Sequence, residues 1–224
     1  MPRNNPTIAI IDYGYGNIFS VNKALTAVGG NVMIISQPID LEKNMPRIDK
    51  IILPGQGAFP ACRRALSPFL ATLLPAITDK KKPLLGICVG MQLLADDGFE
   101  FETISGLGLI KGQVRSFQDI WQKNKKDFSN YNLPQMAWNK ISIKQPRHPL
   151  MTNIENGNYF YFVHSFAFDD YKHDDVVAMT HYGIDYPMVV ARGNVAGIQC
   201  HPEKSQLAGL QFLKNFLNWD GGIA

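Results

Sequence analysis

One cysteine lies in a setting that is typical of a nucleophile. Cys88 stands between Gly86 and Gly90, where the apolar run PLLGI gives way to the helical pattern VGMQLLA. In a Gly-x-nucleophile-x-Gly turn between a strand and a helix, the tight backbone excludes neighbouring side chains and the nucleophile projects from the turn. Free N–H groups at a helix start favour the reactive thiolate, and the N–H of Val89 points to where an oxyanion would form. A buried structural cysteine between two packing glycines fits this pattern equally well.

A histidine and a glutamate further along the chain have the chemistry that a cysteine nucleophile needs. His201, Pro202 and Glu203 end an apolar run and open the last predicted helix. Histidine takes and returns protons near neutral pH, and a carboxylate two residues away can hold one ring nitrogen and stabilise the imidazolium. A proline and a glutamate also begin helices for purely structural reasons. Cys88 and His201 nevertheless both follow predicted strands, at the sheet edge where open α/β folds bind ligands.

Two other places are weaker candidates. The segment LPGQGAF holds Gly55, Gln56 and Gly57, whose backbone N–H groups can approach a ligand and offer a second oxyanion donor. An ordinary strand-to-helix turn explains that segment as well. His164 follows another predicted strand, and a substrate-side or structural role is favoured over that of a second base. No cysteine and histidine spacing fits a metal site and no glycine-rich segment fits a phosphate loop, so we expect no metal and no cofactor.

The elements that position these residues form an α/β pattern in the first half. Apolar runs alternate with helical stretches, which predicts an open, mostly parallel sheet with helices on both faces. The predicted strands lie at 7–12, 31–36, 49–53 and 83–87, and the helical stretches at about 17–28 and 58–80, the second broken near Pro68 and Pro75.

The second half of the chain is richer in short strands, which we expect to extend the sheet in antiparallel or mixed fashion. These strands are predicted in GLGLI, GQVRSF, AWNKISIK, YFYFVHSF, VVAMTHY, PMVVAR and VAGIQC. The Lys-rich stretch QDIWQKNKKDFSNYN is predicted to be an exposed loop. A final amphipathic helix is predicted from about Ser205 to Trp219, with its apolar residues, Leu207 among them, at helical spacing.

Composition excludes several classes of protein. The 224 residues are 46% hydrophobic with a net charge of +3, which suits one globular domain over 1–224 with a core at about 7–219. The small charge surplus gives no reason to expect nucleic acid. No apolar run approaches the roughly 20 residues that cross a membrane, and no secretory signal is visible. The three cysteines therefore indicate reduced thiols in a cytoplasmic protein.

Several segments together indicate a family. GICVGMQLL and GIQCHPEKS resemble the class I glutamine amidotransferases, whose catalytic triad is Cys, His and Glu in that chain order. The segments IDYGYGNIFSV, LPGQGAF, GLGLIKGQV, LPQMAWN and FYFVHSF narrow the resemblance to the glutaminase subunits of imidazole glycerol phosphate synthase. The match runs from about residue 7 to residue 219.

The resemblance implies a role for each matching residue. Cys88 would attack the carboxamide of L-glutamine, His201 would move the protons and Glu203 would orient His201. The oxyanion hole would be formed by Val89, Gln56 and Gly57, the substrate pocket by Gly55, Gln92, His164, Ser165 and Phe166, and the partner-facing strip by Gln135, Met136, Trp138 and Asn139.

The resemblance also implies a partner. A (β/α)8-barrel cyclase subunit would form a heterodimer with this chain and receive the ammonia without its meeting solvent. The products would be imidazole glycerol phosphate and an aminoimidazole carboxamide ribotide, in histidine biosynthesis.

Three departures from the usual family pattern bear on this reading. Gln56 stands where valine is usual, LPQMAWN replaces P-H-M-G-W-N, and Cys200 replaces a phenylalanine before His201. Gln56 affects the oxyanion loop and hence the basal glutaminase activity. The change to LPQMAWN affects the face toward the partner, and Cys200 affects the packing of the pocket. Two alternatives stay open: a paralogue that supplies ammonia for amidination of a surface sugar, and a non-catalytic partner-binding module with the same fold.

Overall fold

Apolar, β-branched runs form the strands at the centre of the molecule. A computed structural model describes residues 5–222. The strands are β1 Thr7–Ile11, β2 Asn31–Ile35, β3 Lys50–Gly55, β4 Leu84–Cys88, β5 Asp97–Gly98, β6 Ile104–Ser105, β7 Gln113–Ser116, β8 Gln135–Ile143, β9 Tyr159–His164, β10 Phe166–Asp169, β11 Val176–Tyr182, β12 Ile184–Arg192 and β13 Val195–Ile198. The α-helices are α1 Ile18–Ala27, α2 Pro38–Asn44, α3 Phe59–Leu66, α4 Leu70–Thr78, α5 Val89–Gln92, α6 Phe117–Lys123 and α7 Gln206–Asn218.

Within residues 5–222, nine strands form the main sheet in the order β2-β1-β3-β4-β13-β12-β11-β8-β9. Neighbouring strands from β2 to β13 are parallel, and those from β13 to β9 are antiparallel. A smaller sheet of four described strands has the order β10-β7-β5-β6. The predicted fold class, a parallel sheet with an antiparallel extension, is confirmed; the single-domain organisation stays a prediction.

Strand register brings three segments to one end of the sheet. Gly55 pairs with Cys88, and Ile198 pairs with Ile87. Since β3, β4 and β13 are parallel neighbours, their carboxyl ends lie side by side. The residues that follow these strands are therefore close in space although they are far apart in the chain.

Two predicted elements in the middle of the chain were wrong. GLGLI forms no strand, because its N–H groups bond to carbonyl oxygens of residues 93–96. The predicted loop after Ser116 begins as α6, where the Ser116 hydroxyl accepts the N–H of Asp119 at 3.1 Å. Ile120 and Trp121 of α6 are buried. Their helical spacing after Phe117 was hidden by the many lysines that follow.

The helical boundaries differ elsewhere as well. The stretch 58–80 does break near Pro68, in a 3-10 turn between α3 and α4, but α4 continues through Pro75 with the loss of one backbone hydrogen bond. Helix α2 was not predicted. Leu207, expected on the buried face of α7, is 83% exposed. In the described part of the chain, none of the helices has the length and apolar character needed to span a membrane.

Candidate active site

The end of β4 is a tight turn that presents Cys88. Its φ of 56° and ψ of −115° are values that residues other than glycine rarely adopt. A Cβ on Gly90 would lie 1.8 Å from the Leu53 carbonyl oxygen, and one on Gly86 would lie 2.4 Å from the Gly90 carbonyl oxygen. The glycine spacing therefore reflects close packing of α5 against β3 and β4, and the turn predicted from it is present.

His201 reaches the same place from β13. It lines one cavity together with Cys88, and its Nδ1 lies 2.8 Å from Oε1 of Glu203. The Glu203 side chain is completely buried behind the ring. Burial lowers the pKa of His201, but the Cys88 side chain and the Glu203 carboxylate raise it more, to about 10. An imidazolium cation beside the sulfur favours the thiolate.

The cavity in front of Cys88 has a volume of about 260 Å³. It is lined by the candidates Gln56, Gly57, Val89, Gln92, His164, Ser165, Phe166 and His201. Gly55 does not line it, because Gly55 packs against the backbone of Val89 and Gly90. The structure thus brings together candidate residues from four separate segments of the sequence.

The oxyanion segment is held by two side chains that sequence reasoning did not connect with it. The Tyr13 hydroxyl donates to the Pro54 carbonyl oxygen at 2.7 Å, and the Cys62 thiol donates to the Gln56 carbonyl oxygen at 3.5 Å. Gly57 has a φ of 103°, where glycine is favoured. Burial raises the pKa of Cys62 to about 11, so that this side chain stays a neutral thiol.

His164 is buried beside the cavity and its ring is fully engaged. Nδ1 lies 2.8 Å from the Phe166 carbonyl oxygen and Nε2 lies 3.1 Å from the Tyr186 hydroxyl. Burial lowers the pKa of His164 to about 4; the Phe166 carbonyl opposes this shift and the nearby His201 adds to it. A neutral ring with both nitrogens engaged fits a structural role better than that of a second base.

Sequence reasoning missed Glu100, which also lines the cavity. Glu100 Oε2 accepts the N–H of Phe59 at 2.7 Å. Burial raises the pKa of Glu100, and the Phe59 N–H partly offsets this. No motif distinguishes Glu100 from Glu102, two residues on, which instead forms an exposed ion pair with Arg64.

The expected partner-facing strip divides into two faces. Met136 and Trp138 are 65% and 42% exposed, whereas Gln135 is completely buried. Asn139 points to the neighbouring strand, where its Nδ2 donates to the His181 carbonyl oxygen at 2.7 Å. Successive side chains of a strand point to opposite faces. The expectation that the Gln135 side chain faces a partner was therefore wrong.

The fold and the cysteine turn define a class of protein. Residues 9–219 match the family model described as glutamine amidotransferase class-I. Similar folds occur in PurLQS from Thermotoga maritima, with a TM-score of 0.71 and 19% identity over 96% of this chain and 98% of that chain. A further glutamine amidotransferase has a TM-score of 0.69 and 15% identity over 95% of this chain and 99% of that chain.

More similar relatives narrow the class. The imidazole glycerol phosphate synthase subunit HisH of Halalkalibacterium halodurans is 40% identical, over 93% of this chain and 94% of that protein. The subunit of the same name from Brucella melitensis biotype 1 is 41% identical, over 95% of this chain and 98% of that protein. The chain belongs to the class I glutamine amidotransferases and, within them, to the HisH family of imidazole glycerol phosphate synthase subunits. The family predicted from the sequence motifs is confirmed.

Proposed function

We propose that this chain hydrolyses L-glutamine to glutamate and ammonia through a thioester on Cys88. The observation that carries the proposal is the buried pair of His201 and Glu203 beside a cysteine at a strained turn. The Cys88 thiolate attacks the carboxamide carbon, and the His201 imidazolium protonates the departing nitrogen, which leaves as ammonia. Neutral His201 then takes a proton from water, which attacks the thioester and releases glutamate and the thiolate.

The negative charge that develops on the carboxamide oxygen must be stabilised by hydrogen-bond donors. Val89, Gln56 and Gly57 line the cavity next to Cys88, which supports a role for their backbone N–H groups as the oxyanion hole. Glu100 and Gln92 line the same cavity. The Glu100 carboxylate is suited to the α-ammonium group of glutamine, with the backbone of residues 164–166 completing the pocket.

The ammonia is proposed to pass to a cyclase subunit of the (β/α)8-barrel type, in a cytoplasmic heterodimer that serves histidine biosynthesis. The relatives are named as subunits of a synthase, which supports a second subunit. Trp138, Tyr159 and Leu207 border a surface groove of about 520 Å³. All three are exposed, and large apolar side chains grouped at a surface favour docking of a protein.

Glutamate release tests the proposal. We expect Cys88→Ala to abolish release, because no thioester can form. The wild-type chain should release glutamate slowly alone and faster with a cyclase subunit that holds its nucleotide substrate, since only a ligand with differential affinity shifts the oxyanion segment. Undiminished release by Cys88→Ala would remove the thiol from the mechanism, and equally fast release with and without the cyclase would remove the coupling.

A further inference from the structure

A chain of buried amides connects the cavity wall to the nucleophile. Gln199 follows β13 and is completely buried, with its backbone N–H bound to the Met188 carbonyl oxygen at 2.8 Å. Its Oε1 accepts a hydrogen bond from Nε2 of Gln92 at 3.2 Å. Its Nε2 lies 3.9 Å from Sγ of Cys88, within the range of a hydrogen bond to sulfur. The proposed mechanism assigns no role to Gln199.

The direction of these hydrogen bonds follows from one backbone carbonyl. The Phe166 carbonyl oxygen can only accept, so the atom of Gln92 that lies 3.0 Å from it must be the amide nitrogen. That nitrogen also faces Gln199, which must therefore present its oxygen. The amide group of Gln199 then has only its N–H donors left to face Cys88. A backbone group thus imposes the orientation of two side chains.

We propose that Gln199 is a further catalytic residue, which donates an N–H to the Cys88 sulfur and so stabilises the thiolate before glutamine binds. This inference rests on the proposed role of Cys88 as nucleophile. A thiolate is a stronger acceptor than a thiol, because hydrogen bonds to ionised groups are the stronger ones. The donor is preorganised, since Gln199 is anchored at its backbone and at its amide oxygen.

Two other titratable donors near Cys88 are used elsewhere, since the Tyr13 hydroxyl donates to the Pro54 carbonyl oxygen and the Cys62 thiol donates to the Gln56 carbonyl oxygen. Tyr13, Cys62 and Cys200 interact with Cys88, and burial raises the pKa of each of them. Those three side chains stay neutral at neutral pH. His201 supplies the positive charge, oriented by Glu203, while Glu100 and Lys204 border the cavity.

The same hydrogen bonds also fix what Gln92 offers to a ligand. Both N–H donors of its amide are taken, one by Phe166 and one by Gln199. Its Oε1 is thereby left as an acceptor at a cavity that Gln92 lines. Gln199 therefore connects the nucleophile with the group that receives the N–H donors of the substrate.

Alkylation of Cys88 as a function of pH tests the inference without glutamine. Iodoacetamide labelling followed by peptide mass spectrometry counts Cys88 separately from Cys62 and Cys200. Gln199→Glu keeps an oxygen toward Gln92 but places an oxygen opposite the sulfur, and Gln199→Met removes the donor with little change in volume. We expect the pH midpoint of labelling to rise by about one unit in Gln199→Glu and by about half a unit in Gln199→Met.

Asn215→Leu is the matched control for loss of a buried amide. Asn215 is buried in α7 and donates to the Leu150 and Thr152 carbonyl oxygens, and its replacement should leave the midpoint unchanged. An unchanged midpoint in a folded Gln199 variant, or an equal shift in Asn215→Leu, would overturn the inference. If only one of the two Gln199 variants folds, its labelling midpoint alone tests the inference. Continued glutamate release by Cys88→Ala would reject the proposed function, and the labelling midpoints would still report on Gln199.

Discussion

At the scale of single residues, the surroundings of three buried histidines decide the charge of each. Burial lowers the pKa of His201, but the Cys88 side chain and the Glu203 carboxylate raise that pKa by more. His164 and His148 are buried without a carboxylate partner, and the pKa of each is lowered to about 4. One histidine of the site is therefore held as a cation, while two other buried histidines are held neutral.

These opposite shifts predict how stability depends on pH. In the unfolded chain, His148 and His164 bind protons below their ordinary pKa of about 6.5. In the folded chain they bind protons only near their lowered pKa of about 4. The free energy of unfolding should therefore fall as the pH drops from 6.5 to 4. His201 acts in the reverse sense: its contribution is complete below about 6.5 and is lost as the pH rises toward 10.

His148→Asn tests the acid side of this prediction away from the active site. His148 Nδ1 accepts the N–H of Leu150 at 3.2 Å, a contact that an asparagine oxygen can replace. Urea unfolding between pH 4 and 6.5 should show a slope that is smaller by about one proton than in the wild type. The exposed His173, replaced by Asn, serves as the control for the removal of a histidine, and its slope is compared with that of His148→Asn. Identical slopes in all three proteins would contradict the prediction.

At the scale of elements, the site depends on how closely α5 approaches β3. The two segments meet where Gly90 lies against the Leu53 carbonyl, with no space for a methyl group. The turn that carries Cys88 is held by this contact and by the register of β3 with β4. The position of the Cys88 sulfur therefore depends on Gly90, in the helix that follows, having no side chain.

We expect Gly90→Ala to destabilise the chain by more than about 4 kcal/mol, because backbone must move to admit the methyl group. Urea denaturation measures the loss. Gly157→Ala is the control: Gly157 has a φ of 85° and no atom within 4 Å of an added Cβ, so the cost should be only about 1 kcal/mol. Equal losses in the two variants would show that the contact with Leu53 is unimportant.

At the scale of the whole molecule, the two edges of the main sheet differ in what they expose. Strands β8 and β9 form one edge, where Trp138 and Tyr159 are exposed and border the surface groove. Strand β2 forms the opposite edge, next to α2 with the exposed Ile39. Within residues 5–222, the edge strands β8 and β9 carry exposed aromatic side chains, the type that dominates protein interfaces, whereas β2 has no aromatic residue.

We therefore expect Trp138→Ala to raise the cyclase concentration needed for half-maximal activation by about tenfold or more, the effect of losing a buried aromatic anchor. The measurement is glutamate release as the cyclase subunit is titrated. Ile39→Ala removes an exposed apolar side chain at the other edge and should leave the titration unchanged. A tenfold loss in Ile39→Ala, or none in Trp138→Ala, would place the partner elsewhere.

Local patterns in the sequence were enough to identify the family and the alternation of strands and helices. Gly86 and Gly90 are informative because a tight turn requires residues that lack a Cβ. The sequence shows that local requirement without any knowledge of tertiary contacts. The motif around His201 is equally local, since Glu203 is two residues away. The strands that surround both motifs are marked by apolar runs whose length and spacing need no tertiary information.

Contacts between distant segments were decided only by the tertiary structure. Gln199 and Cys88 are 111 residues apart in the chain, and the register of β13 beside β4 makes them neighbours. The direction of Gln135, the place of Glu100 in the cavity and the burial of Trp121 have the same origin. A residue's type limits which contacts it is able to make, but strand order and register select its neighbours, and those neighbours set its burial and charge.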